Sequence, residues 1–197
     1  MSALTEAIIR KARESAQTIE RLFAENSDRI AACAIEMAAR FDAGGRLYTL
    51  GNGGSAADAM HVAVEFMHPV IARRPAIPAI ALSADSTLMS AIANDQDFSQ
   101  AYAHALRIHG KPGDVVLALS TSGKSASVNR ALAAAKELGM LTVGFSGKDG
   151  GKLVGLCDHA FVVPSYAIHR IQEAHVALLH VLWDAIHVVR GEEDVTG

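Results

Sequence analysis

The chain reads as an α/β protein with a five-stranded parallel sheet covered by helices on both faces. Three observations predict this. From residue 46 onward, short β-rich apolar runs alternate with helical patterns, the mark of a βαβ series. Two of these runs end in Ser/Gly turns that open directly onto helices, in RLYTLGNGGSAADAMHVAVEF (46–66) and DVVLALSTSGKSASVNRALAAAKEL (114–138). The 197 residues, 50% of them hydrophobic and 20% charged, suffice for one well-buried domain and are short for two.

Residues 3–42 carry apolar side chains at helical spacing: Leu4, Ile8 and Ile9, then Ile19, Leu22 and Phe23, then Ile30, Cys33, Ile35, Met37 and Phe41. Asn26, Ser27 and Asp28 read as a break and a cap, so the spacing predicts two helices before the first strand. Strands follow near 46–50, 79–83, 114–119, 141–146 and 160–163. Helices are predicted near 55–68, 86–93, 97–109, 125–138 and 169–190, and GKDGG at 147–151 is a loop. No linker or composition break divides the chain. The organisation is therefore one domain over 1–197, with helices in 1–43 and the α/β core in 44–190. The N-terminal helices carry more apolar surface than one sheet face needs, which predicts subunit packing.

In parallel sheets of this kind ligands sit beyond the carboxyl ends of the strands, where both Ser/Gly turns fall. At each turn small residues let the backbone approach a ligand, and the helix beyond presents unpaired N–H groups and a partial positive charge. Both are anion sockets. The second adds the hydroxyls of Ser120, Thr121, Ser122 and Ser125 but a single cation, Lys124, a set that suits one phosphate ester better than a triphosphate. GNGGSA at 51–56 also fits the dinucleotide pattern GxGxxA. The acid expected about 20 residues on is missing, although Arg73 and Arg74 stand near that distance and suit a 2′-phosphate. That reading leaves the second loop unexplained. ALSTSGKS at 118–125 is one substitution from a Walker A loop, but no strand ending in a magnesium-binding Asp follows. A small phosphorylated metabolite is the ligand that accounts for both loops.

His61 and Glu65 lie four residues apart on the helix opened by the first loop, so they share a face. There they form either a solvated pair or a unit that holds a metal ion or moves a proton. Their flanks Met60, Val62, Val64 and Phe66 are apolar, and polar groups in such a helix need partners. The last helix, RIQEAHVALLHVLWDAIHVV, carries Gln172, Glu173, His175, His180 and His187, too many polar groups for a plain core. Spacing alone does not choose between Gln172 and Glu173 as the partner of His180.

A formal charge of −3 gives no general attraction for nucleic acid or anionic membrane. No apolar run reaches the length of a membrane span, and SALTEAIIRKARES alternates charge with apolar residues, unlike a secretory leader. A cytosolic protein is expected. Cys33 and Cys157 lack CxxC spacing and read as small buried residues.

GNGGSAADAMH, STSGKS and RIQEAH occur in this order, with RPAIPAIAL and AIANDQDF between them. Over about residues 40–190 the chain resembles the sugar isomerase (SIS) domain family in its phosphoheptose isomerase branch. The resemblance implies a doubly wound α/β domain, a homotetramer with active sites between subunits, and one zinc ion per site. It also implies isomerisation of sedoheptulose 7-phosphate to D-glycero-D-manno-heptose 7-phosphate in bacterial heptose biosynthesis. By matching position, Ser120, Thr121, Ser122 and Ser125 would hold phosphate. Asn52, Gly53, Gly54, Ser55, Asn94 and Asp95, with Glu65 and Gln172, would line the substrate, and His61, Glu65, Gln172 and His180 would hold zinc. Glu65 and His180 are the acid/base candidates, since an aldose–ketose isomerase takes a proton from the carbon beside the carbonyl and returns one to its neighbour. The chain departs from the branch at PSYAIHRIQE: Ala167 and Ile168 replace an acid and a Thr, and Tyr166 and His169 are new polar groups there. The alternative is a non-catalytic phosphosugar-binding protein of this fold, such as the relative that binds the replication initiator. That relative lacks the acid and the second His, which Glu65 and His180 supply here.

Overall fold

The computed structural model describes residues 2–71 and 73–194. Five parallel strands, β1 (Leu47–Gly51), β2 (Ala79–Ala81), β3 (Val115–Ser120), β4 (Leu141–Gly147) and β5 (His159–Val163), form one sheet in the order β2-β1-β3-β4-β5. The order reverses between β1 and β3, which makes their carboxyl ends the switch point. The central strands β1, β3 and β4 are buried on both sides and read as near-continuous apolar runs, while the edge strand β2 leaves Ile80 exposed.

Alternation along the strands divides the core in two. Leu47, Val115, Leu117, Val143, Phe145 and Phe161 face α1 (Ala3–Asp42), α2 (Gly54–Met67) and α6 (Ile168–Val189). Tyr48, Leu50, Val116 and Ala118 face the other side. Tyr102 and Leu106 of α4 (Ala101–His109) and Val128 and Leu132 of α5 (Ala126–Glu137) cover them. The short α3 (Ser86–Asp95) lies between β2 and α4, capped by Asp85, whose carboxylate accepts from Leu88 N at 2.9 Å.

The N-terminal segment is one 40-residue helix and not the expected pair. Leu22, Asn26, Ile30, Cys33, Met37 and Phe41 are all buried, so the apolar stripe runs straight through the supposed break. Asn26 is satisfied inside the helix: its amide donates to Leu22 O at 2.9 Å and accepts from Arg29 at 2.9 Å. Helical backbone bonding and packing against α6 outweigh the turn preference of Asn, Ser and Asp. Side chains join the two helices at both ends. Glu173 accepts from Ser15 Oγ at 2.5 Å, and Arg190 Nε donates to Asp42 at 2.8 Å. Cys33 is buried and Cys157 partly so, and burial raises both thiol pKa values, that of Cys157 to about 12. Among the described residues no helix is long and apolar enough to cross a membrane.

Candidate active site

The two Ser/Gly turns meet at the switch point. Asn52, just after β1, donates its amide to Ser125 Oγ at 2.7 Å and to Ser127 Oγ at 3.0 Å at the start of α5. Asn52, Ser55, Ser120, Thr121, Ser122 and Ser125 line a cavity of about 220 Å³ at the N-terminus of α5. Five of its seven lining residues carry a hydroxyl, all but Asn52 and Leu119, and the helix end adds partial positive charge, so the cavity suits a phosphate monoester. Gly123 lets the loop close. It has φ +61°, and a Cβ there would stand 1.9 Å from Gly150 O, so GKDGG of 147–151 braces the phosphate loop backbone against backbone. Nothing in the sequence beyond its glycines announced that role.

Lys124 does not enter this cavity. Its ammonium group pairs with Asp149 at 2.8 Å on the exposed side, and that hydrogen-bonded pairing raises the Lys124 pKa and lowers that of Asp149. A triphosphate site would need that lysine facing inward. Arg74 is likewise committed: it is buried, pairs with Asp184 at 2.6 Å and lies 4.7 Å from the Trp183 ring centre. It has no freedom to hold a 2′-phosphate at the first loop.

A second cavity, of about 390 Å³, shares Asn52 with the first and takes in Gly53, Ser83, Ser86, Met89 and Tyr102. Asn94 and Asp95 line neither cavity. They end α3, exposed, and the Asn94 amide donates to Asp95 at 2.7 Å. Gly54 begins α2 under Gln172, since a Cβ at Gly54 would lie 2.1 Å from Gln172 Nε2. Gln172 is thereby placed over the first loop. Its neighbour Glu173 faces away, bonded to Ser15 and Arg170.

Farther along α2, His61, Glu65 and His180 come together across α2 and α6. His61 Nε2 is 3.2 Å from Glu65 Oε1 and 3.4 Å from His180 Nε2, and one ligand atom from each of the three lies within 4.8 Å of the others. A tetrahedral ion with zinc-to-nitrogen bonds of about 2.0–2.1 Å separates its ligand atoms by roughly 3.3 Å, so the trio has the spacing of a metal-binding face. Two imidazole nitrogens and a carboxylate suit zinc chemically. Burial lowers the His180 pKa and His61 adds to the effect, while Glu65 opposes it, so His180 is held toward the neutral form that ligates or accepts a proton. The exposed side chains of Met60, Val64 and Val181 flank the trio in sequence.

The remaining candidates fall elsewhere. His175 is buried beside Phe145, its Nε2 bonded to Ser146 O at 3.1 Å, and His187 is buried against Trp183. Tyr166 and His169 are exposed at the start of α6. Asp58 is partly buried on α2 with its pKa raised by burial, against the opposing pull of His61.

The SIS domain family matches residues 12–147. The phosphoheptose isomerase of Desulfovibrio desulfuricans is 43% identical over 171 residues, covering 87% of this chain and 81% of the relative. A phosphoheptose isomerase structure from Francisella tularensis superposes with TM-score 0.89 at 31% identity, covering 95% of this chain and 100% of that one. The corresponding structure from Neisseria gonorrhoeae gives TM-score 0.87 at 33% identity, covering 93% and 98%.

Proposed function

The chain belongs to the SIS domain family, in its phosphoheptose isomerase branch, and on that premise we propose that it converts sedoheptulose 7-phosphate to D-glycero-D-manno-heptose 7-phosphate. One observation carries the reading. A hydroxyl-lined anion cavity and a His–Glu–His trio stand along the same helix, with Ser55 at one and His61 at the other, separated by six residues or about 9 Å of helical rise. That span suits a substrate with phosphate at one end and a carbonyl at the other.

Ser120, Thr121, Ser122 and Ser125 bind the phosphate and fix the sugar's register along α2. Asn52, Gly53, Gly54 and Ser55 lie against the chain of hydroxyls, and Asn94 and Asp95, exposed at the end of α3 and outside both cavities, would reach the sugar only if α3 moves toward it. Glu65 takes the proton from the hydroxyl-bearing carbon beside the carbonyl, and neutral His180 takes the proton of that carbon's hydroxyl and passes it to the carbonyl oxygen, leaving an enediolate. Return of the proton to the neighbouring carbon completes the isomerisation. His61, Glu65 and His180 would hold one zinc ion, with Gln172 completing the set once its amide swings from Gly54 toward the trio; when bound, the ion would polarise the carbonyl and stabilise negative charge on its oxygen. Neutral His180, favoured by its lowered pKa, is the form both roles require.

The exposed apolar side chains Met60, Val64 and Met67 of α2, with Val181, Val188 and Val189 of α6, support a homotetramer whose active sites lie between subunits. We assign the protein to the cytoplasm, in bacterial heptose biosynthesis, with no nucleic-acid or membrane partner. Turnover of sedoheptulose 7-phosphate by the purified protein, followed by heptose product, tests the reading. Phosphosugar binding without turnover of any C5–C7 ketose phosphate would make it a sensor instead.

A further inference from the structure

A chain of hydrogen bonds runs from the apolar core to the phosphate cavity. Tyr102, on α4, is 1% exposed and edge-on to Phe98. Its single hydroxyl hydrogen is shared between Gly51 O, the nearer acceptor, and Asn52 Oδ1 at 3.1 Å. Asn52 Nδ2 then gives one hydrogen to Ser125 Oγ at 2.7 Å and one to Ser127 Oγ at 3.0 Å. The direction of these bonds matters for an anion. With Oδ1 facing Tyr102, both serine oxygens accept from Asn52; buried Ser127, 3.3 Å from Ser125 Oγ and outside the cavity lining, gives its hydrogen to Ser125, and the hydrogen of Ser125 stays available to a phosphate. The reversed amide would turn Oδ1 onto the serines, take up those hydrogens, and leave lone pairs facing the negative ligand. Burial keeps the phenol protonated, its pKa raised to about 12, so it stays a donor at every working pH.

We infer that Tyr102 is a positioning residue for substrate phosphate, setting the Asn52 amide so that Ser125 presents its hydrogen to the anion, with buried Ser127 the hydroxyl that backs Ser125 in that network. This rests on the phosphate assignment of the preceding subsection. Neither residue touches the reacting carbons, so the effect falls on binding and not on the chemical step.

The test is Tyr102→Phe in the full-length enzyme, which keeps the ring and its packing. Inorganic phosphate affinity and the KM for phosphosugar should each weaken roughly 3–10-fold, the loss of one buried hydrogen bond, with kcat within twofold of wild type. Ser127→Ala, which leaves α4 untouched, should weaken phosphate binding in the same direction. The double variant should lose less than the product of the two single effects, because both act through Asn52. Unchanged phosphate affinity and KM in Tyr102→Phe, or fully multiplicative losses, would overturn the inference. Ser125→Ala separates this from failure of the phosphate assignment. Weakened binding in Ser125→Ala with none in Tyr102→Phe overturns the relay alone, whereas normal binding in both overturns the phosphate assignment and the relay together. If Tyr102→Phe does not fold, Ser127→Ala decides: normal phosphate affinity in it overturns the inference.

Discussion

Asn52 and Ser125 are 73 positions apart, yet the amide of one donates to the hydroxyl of the other at 2.7 Å, closing the gap between the two halves of the sheet. The bond lies where the strand order reverses, so the loops after β1 and β3 build one cavity instead of two separate anion sockets. A ligand seated there reads both loops at once, and side chains from either loop should govern its affinity.

Ser122→Ala and Ser125→Ala are therefore expected to raise the KM for phosphosugar with less effect on kcat. Each hydroxyl lost from a charged phosphate should cost about 1.5–3 kcal/mol. Steady-state kinetics on both variants is the check, and unchanged KM values would remove the phosphate from this loop.

Gly123→Ala should both weaken phosphosugar binding and destabilise the fold, by about 1–3 kcal/mol for the strained backbone alone. The residue has φ +61°, and the added methyl would press into Gly150 O. Denaturant unfolding and phosphate titration measure the two effects separately. A fully stable variant with normal affinity would mean that the brace from 147–151 is dispensable.

One divalent ion per chain is expected in protein purified without a His tag, with zinc favoured by the donor set. His61→Leu should abolish that stoichiometry while leaving inorganic phosphate binding in place, because the trio and the hydroxyl cavity occupy different turns of α2. Elemental analysis reads the first outcome and calorimetry the second. Full metal content in the variant would place the ion elsewhere.

Glu65→Gln and His180→Gln keep size and polarity but remove the titratable groups. Each should lower turnover by roughly 10²–10⁴-fold with phosphosugar binding retained. Exchange of the substrate's α-proton with deuterated water assigns the steps, since a variant that completes only the first transfer exchanges without isomerising. Near-normal turnover in both would move the proton chemistry to other residues.

Stability should fall on acidification through the buried His175. Burial lowers its pKa from the ordinary 6.5 to about 4, against a smaller opposing effect from its bond to Ser146 O. The unfolded chain takes up the proton near 6.5 while the native one does not, so its contribution is full above that value and is lost as pH drops toward 4. The slope from this one group is at most about 1.4 kcal/mol per pH unit. His175→Leu should flatten the pH dependence of unfolding over that window by one proton. An unaltered slope would show that His175 does not titrate differently in the two states.

By itself the sequence determined what depends on neighbouring residues. Apolar runs of four to six residues and 3.6-residue stripes specified all five strands and the helices after them, because each pattern is read within a few residues of itself. The Ser/Gly turns were legible as anion loops for the same reason, and the four-residue spacing put His61 and Glu65 on one face. Tertiary structure alone decided whatever depended on a distant partner. The turn signal at Asn26–Asp28 yielded to a stripe that buries itself against α6, more than 140 positions away. Lys124 turned from the phosphate loop to Asp149, and Glu173 turned to Ser15, which left Gln172 over Gly54. His180 met His61 while His175 and His187 went into the core, although all three share one apolar helix. Helix periodicity says which residues share a face, but a side chain's charge or hydrogen bond is satisfied by whatever the packing of other elements brings within about 3 Å.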